Sequence, residues 1–158
     1  MRITLLIPSV LALSAGTAMA EMVAPADVQF ADGALETPLT SDAGDPARGK
    51  VIMTTRSKGN CVACHEISAL SEAPFHGNVG PMLDGVGEYR TEAELRGIVA
   101  NAKMTFEGSV MPAFYKTTGF ERPGDGYSGK AAQGELAPIL TAQEIEDVVA
   151  FLKTLKDG

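Results

Sequence analysis

The chain has no tryptophan and only two cysteines and two histidines among its 158 residues. Two cysteines cannot build the framework of a small disulfide-rich scaffold. Cys61, Cys64, His65 and His76 are the whole stock of soft and imidazole donors, so a tetrahedral zinc site built on the cysteines has little left to complete it. Basic residues are also few: 13 Lys and Arg stand against 20 Asp and Glu, for a net charge of −7. Such a surface repels phosphate backbones, which argues against a nucleic-acid partner. After residue 20 there is no apolar run long enough to cross a bilayer, so no membrane span is expected there. Strand-period alternation and internal repeats are absent. No Ser-His-Asp or paired-carboxylate signature stands out, so no catalytic residue is expected on this chain. With 6 Phe and 3 Tyr, the chain can bury only a modest core of its own.

What is present is concentrated in one stretch. Both cysteines fall in Cys61-Val62-Ala63-Cys64-His65. The C-x-x-C-H spacing is the attachment signature for c-type haem. Each thiol adds across one haem vinyl group to make a thioether, and the intervening residues set the sulfurs apart by about the distance between the vinyls. His65 follows at once and serves as an axial ligand to the iron. A redox C-x-x-C pair would sit in a βαβ pattern, and none is visible. The haem would supply a large apolar surface at the centre, so the chain without it is expected to fold poorly.

The first 20 residues read as a secretory signal. Arg2 starts it, Ile3 to Leu13 is mostly apolar, and Ala18-Met19-Ala20 is a small-x-small cleavage site. In a bacterium this sends the chain to the periplasm. Removing this segment takes away Arg2 and no carboxylate, so the mature chain is one unit more negative. Residues 21–44 hold Pro25, Pro38, Gly33 and Gly44 with no helical period, and read as an extended arm that packs on the domain or on a partner. The domain proper is expected over 45–158. Asp45 suits an N-cap and Pro46 the first helical position of a helix reaching about Arg56, with Val51 and Ile52 inward. Thr91-Glu92-Ala93-Glu94 is a capping box before a helix that buries Leu95, Ile98 and Val99. Thr141-Ala142-Gln143-Glu144 is another, opening a helix with Ile145, Val148, Val149, Leu152 and Leu155 on one face. Turn-rich loops fill 68–87, 103–115 and 119–138.

The order helix, C-x-x-C-H, loop, helix, loop, helix resembles class I cytochromes c over Asp45 to Lys156. The resemblance implies an all-α fold, with three main helices and long loops around one covalent haem c. It also implies that the first and last helices cross at Gly49 and Phe151. Gly80-Pro81-Met82-Leu83 resembles the family's Gly-Pro-x-Leu element, in which the proline carbonyl accepts the haem histidine's Nδ1–H. That makes Pro81 part of the cofactor site and places Met82 and His76 on the histidine side. Met53 reads as core filler. The distal ligand of the family belongs in the loop holding Met104 and Met111. Met111 fits best, because Pro112 biases it to an extended backbone and stiffens the segment. Met104 follows a helix end, where core packing is its expected use. A His/Met pair favours Fe(II) and leaves the iron no open site.

Longer stretches are similar to the SoxX family, the small monohaem subunits of SoxAX complexes in bacterial sulfur oxidation. They are Pro74-Phe75-His76-Gly77-Asn78-Val79-Gly80-Pro81, Val110-Met111-Pro112-Ala113-Phe114-Tyr115, and Pro138-Ile139-Leu140-Thr141-Ala142-Gln143. Met82, where an acidic residue is more usual, and an insertion at 131–137 depart from that pattern. The resemblance implies an L-cysteine S-thiosulfotransferase complex in which thiosulfate is coupled to a carrier-protein cysteine. This chain would accept electrons from a larger SoxA-like cytochrome subunit and pass them to a downstream acceptor cytochrome. The alternative is a free-standing periplasmic electron carrier. The arm and the 119–138 loop favour an obligate subunit, which can use them to cover a partner.

Overall fold

A computed structural model describes residues 21–121, 123–124 and 128–156. Residues 1–20, read above as an export signal, lie outside these, as does Gly126 of the last long loop. Among the described residues there are helices and turns but no strands, only isolated bridges such as Met22 with Thr40. No helix there is long and apolar enough to cross a membrane.

The first helix, α1, spans Pro46–Thr54. Asp45 caps it by accepting from Ala47 N–H at 2.8 Å, and Pro46 occupies the first turn, where no N–H is needed. Its inward face is Gly49, Ile52 and Met53, spaced i, i+3, i+4. The expectation for Val51 fails. It is 63% exposed, because two residues on from Gly49 it points to the opposite side of the helix. Met53 is core filler, as expected.

The last helix, α4, spans Ala142–Leu152 and opens with the full Thr141–Glu144 capping box. Ile145, Val148, Val149, Leu152 and, just beyond it, Leu155 are all buried. Each such side chain contributes roughly 1.5–3 kcal/mol by leaving water. α1 and α4 cross at the expected pair: a Cβ on Gly49 would run into the Asp147 carbonyl and lie 2.8 Å from Phe151 Cβ. The glycine that weakens α1 on propensity is what lets the two backbones approach. The crossing is also fastened electrostatically. Asp147 Oδ1 accepts from Asp45 N–H and from Arg48 Nη2, both at 2.8 Å, while Oδ2 accepts from Arg48 Nε at 2.7 Å.

Two further helices fill the middle. α2 is a single turn, Val86–Tyr89, that begins within the loop predicted over 68–87. α3 spans Glu92–Asn101 with its Thr91–Glu94 capping box complete. Leu95 and Val99 are buried as predicted, but Ile98 is only half-buried and Arg96 lies inside instead.

Arg96 is buried because the arm needs it. It pairs with Glu146 of α4, Nε to Oε1 at 2.7 Å, and its Nη1 donates to the Leu35 carbonyl at 2.8 Å. Glu146 Oε1 also accepts from Leu39 N–H at 2.7 Å. Leu35 and Leu39 are thereby drawn into the core, 2% and 1% exposed. Tyr115 Oη adds a bond to the Val23 carbonyl at 2.7 Å. The arm packs on its own domain.

Candidate haem site

The chain turns into the C-x-x-C-H stretch through Asn60, whose φ of +46° is left-handed. Asparagine is among the few residues that take this conformation at low cost. Cys61–Ala63 form one 3-10 turn. Cys64 and His65 N–H both bond to the Cys61 carbonyl, at 3.1 and 3.0 Å. This local winding brings the two thiols and the imidazole onto one short arc. Lys58 fastens the approach by an ion pair with Glu144 at 2.6 Å, which ties the arc to the start of α4. Both cysteines are free and half-buried. Burial pushes the Cys61 thiol up to about 12, so it is held neutral.

A strap over 77–84 lies along this arc. Its N–H groups at Gly77, Gly80 and Leu83 bond to the carbonyls of Val62, Cys64 and Glu66, at 2.8, 2.8 and 3.0 Å. The strap places the Pro81 carbonyl 2.7 Å from His65 Nδ1, so Nδ1–H donates and the tautomer leaves Nε2 as a lone-pair donor. Among the described residues no hydrogen bond is made to His65 Nε2. Gly80 lies flat against the ring: a Cβ there would fall 2.6 Å from Nδ1, so only glycine permits this contact. The strap ends at Asp84, whose carboxylate accepts from the Ser68 N–H at 2.9 Å and from its hydroxyl.

Met111 stands on the other long loop. It is half-buried and packs against the core cluster. Its carbonyl accepts from Lys103 Nζ at 2.7 Å and its N–H donates to Ser109 Oγ at 3.3 Å. Tyr115 N–H to the Ala100 carbonyl, and Leu140 N–H to the Phe114 carbonyl, moor the rest of that loop to α3 and to the start of α4. Met104 does not pack in the core as expected. It is 51% exposed at the end of the Ala102–Met104 turn, where Ala102 takes the inward place. Met82, beside Pro81, is 50% exposed. His76 is not available as a ligand, since both its ring nitrogens are used: Nδ1 accepts from Ile67 N–H at 3.3 Å and Nε2–H donates to the Leu70 carbonyl at 3.0 Å.

Cys61, Cys64, His65 and Pro81 are thus joined in one hydrogen-bonded unit, while Met111 is held separately. Sequence reasoning missed Asp84 and Lys103. Their bonds reach across sixteen and eight residues, and no local spacing announces them. No group of three or more His, Cys, Asp or Glu able to hold a metal ion occurs among the described residues. A cleft of about 1110 Å³ lined by Thr117, Lys130 and Leu136 borders none of these residues.

The sequence profile of the Cytochrome c family matches residues 46–156. The chain belongs to the cytochrome c family. The cytochrome also matches a chain of the SoxXA crystal structure from P. pantotrophus, with 62% identity and a TM-score of 0.83, covering 86% of this chain and 99% of that one. No curated protein matches significantly. The helical class I fold expected from the motif order is therefore the observed one. Covalent haem c goes with the family, and the cytochrome's own donor set fits it: two neighbouring thiols, an imidazole with its Nε2 lone pair free, and a glycine-padded face against that imidazole.

Proposed function

We propose that this chain is the monohaem electron-transfer subunit of a periplasmic SoxAX-like complex. In this reading Cys61 and Cys64 hold one haem c, His65 Nε2 and Met111 Sδ are its axial ligands, and Pro81 orients His65. The bound group supplies an iron that alternates between Fe(III) and Fe(II). The chain's own residues keep the ligands still. The Pro81 carbonyl strengthens His65 as a donor, and the thioether of Met111 favours the reduced state.

The observation that carries the reading is the 62% identity with a chain of a SoxXA structure along nearly that chain's whole length. The arm cannot carry it, because Leu35 and Leu39 are spent on the domain's own core. In the coupling reaction, thiosulfate joins a carrier-protein thiolate through a new S–S bond, and two electrons leave. With Cys61, Cys64 and His65 able to hold one haem, this chain would pass the electrons on singly, to an onward acceptor cytochrome. No cysteine remains beyond Cys61 and Cys64, so the sulfur chemistry belongs to the larger cytochrome subunit.

Size-exclusion chromatography of the protein from its native host, followed by haem absorbance, tests this. Co-elution with a second, larger c-type cytochrome is the expected result. A haem peak at the mass of the lone chain would favour a free electron carrier.

A further inference from the structure

We propose that His76 is a positioning residue for His65, acting through the strap that carries Pro81; this rests on the haem reading above. The strap meets the C-x-x-C-H arc through backbone rungs and at the His65 ring, and must begin at a fixed height for the Pro81 carbonyl to meet Nδ1–H. His76 sets that height. It sits immediately before the first rung at Gly77, and its ring bridges Ile67 N–H and the Leu70 carbonyl on the far side of the arc. Ile67 and Leu70 are 0% and 1% exposed, so the ring is anchored to the most rigid ground nearby.

The backbone is bent to allow this. Phe75, just before His76, takes a φ of +64° while its side chain is 85% exposed. A left-handed phenylalanine is costly, and one that buries so little of its ring gains little in return within this chain. The bend turns the chain back so that His76 can reach under the arc. At the other end Asp84 grips Ser68, so the strap is held at both ends with Pro81 between.

The bridge needs one specific imidazole form, an acceptor at Nδ1 and a donor at Nε2, and no other side chain supplies both at that spacing. Leucine supplies neither. Asparagine can accept from Ile67 but falls short of Leu70, and glutamine can donate to Leu70 while losing the first bond.

The test uses the assembled cytochrome with haem attached. The His65 Nδ1–H exchange rate is followed by NMR in the reduced protein, and the reduction potential is measured beside it. His76→Leu should speed exchange at least tenfold and raise the potential, because a loosened Pro81 contact leaves His65 a weaker donor and Fe(III) less stabilised. His76→Asn and His76→Gln should fall between the leucine variant and wild type in both readouts. Ile52→Val, a core change on α1, controls for lost stability and should move neither readout. Wild-type exchange and potential in the leucine variant would overturn the proposal. Should that variant fail to mature, wild-type values in both the asparagine and the glutamine variants overturn it equally. A wild-type chain that attaches no haem is scored first; it would sink the haem reading itself, and this inference with it.

Discussion

Arg96 of α3 and Glu146 of α4 form a two-pronged ion pair, Nε–Oε1 at 2.7 Å and Nη2–Oε2 at 3.0 Å, with both residues at least 94% buried. Their remaining capacity goes to the arm, at the Leu35 carbonyl and the Leu39 N–H. A buried pair of this kind is costly to assemble and more costly to break, because the survivor keeps its charge without water.

Arg96→Ala should therefore lower the unfolding free energy by about 3–5 kcal/mol, as expected for a buried pair with one partner removed. The arm should also become sensitive to protease between residues 21 and 44. A urea titration with limited proteolysis checks both. A loss below about 1 kcal/mol would place this pair with surface salt bridges, which contribute little.

Gly49→Ala should destabilise by about 1–3 kcal/mol, the usual cost of forcing a methyl into a filled contact. The added Cβ has no soft neighbour to displace, since it meets the Asp147 carbonyl and Phe151 Cβ. At an exposed helix position the same change would stabilise. Thermal melts of the two proteins distinguish these signs.

Met111→Ala should leave the haem attached, because in the proposed reading Cys61 and Cys64 supply the thioethers. It should open the iron to carbon monoxide and lower the reduction potential. The carbon monoxide difference spectrum is the check, and a variant that refuses the ligand would remove Met111 from the axial position. The same spectrum applied to Met104→Ala should match wild type, since Met104 is half exposed at its turn.

Acid should weaken the α1–α4 crossing. Burial raises the Asp147 carboxyl, but bonds from Arg48, the Asp45 N–H and Gln143 outweigh it and hold the carboxyl below its ordinary value. Glu144 is held down in the same way, burial being outweighed by Lys58 and its Thr141 cap. A depressed carboxylate contributes stability that is fully present above its unfolded pKa, about 3.9 for Asp and 4.3 for Glu. That stability is lost as pH falls through the folded value. Unfolding free energy should thus be level from about pH 7 to 5 and decline below about pH 4. Asp147→Asn should flatten the decline, measured by urea titrations across that range.

Local chemistry was legible because it is short-range. The C-x-x-C-H arc, both capping boxes, the Pro46 start of α1 and the apolar face of α4 each depend on residues within a few positions of one another, and each is present. Where two periodic faces competed, the reading slipped: Val51 and Ile98 were expected inside, yet α1 turns Gly49 inward and α3 turns Arg96 inward. Those choices depend on which side of a helix meets a distant one. Met104 failed for the same reason, since a turn's inward side is set by what packs on it.

The sequence alone determined the C-x-x-C-H arc and the order of the three main helices, while the crossing pair Gly49 and Phe151 followed from the resemblance to class I cytochromes c. Tertiary structure alone decided that the arm belongs to the core, that His76 and Asp84 hold the ends of the strap, and that Lys103 grips the Met111 loop. All of these are hydrogen bonds or ion pairs between groups separated along the chain. Sequence patterning records how a residue faces its neighbours, but a desolvated polar group finds its partner only when the chain has closed around it.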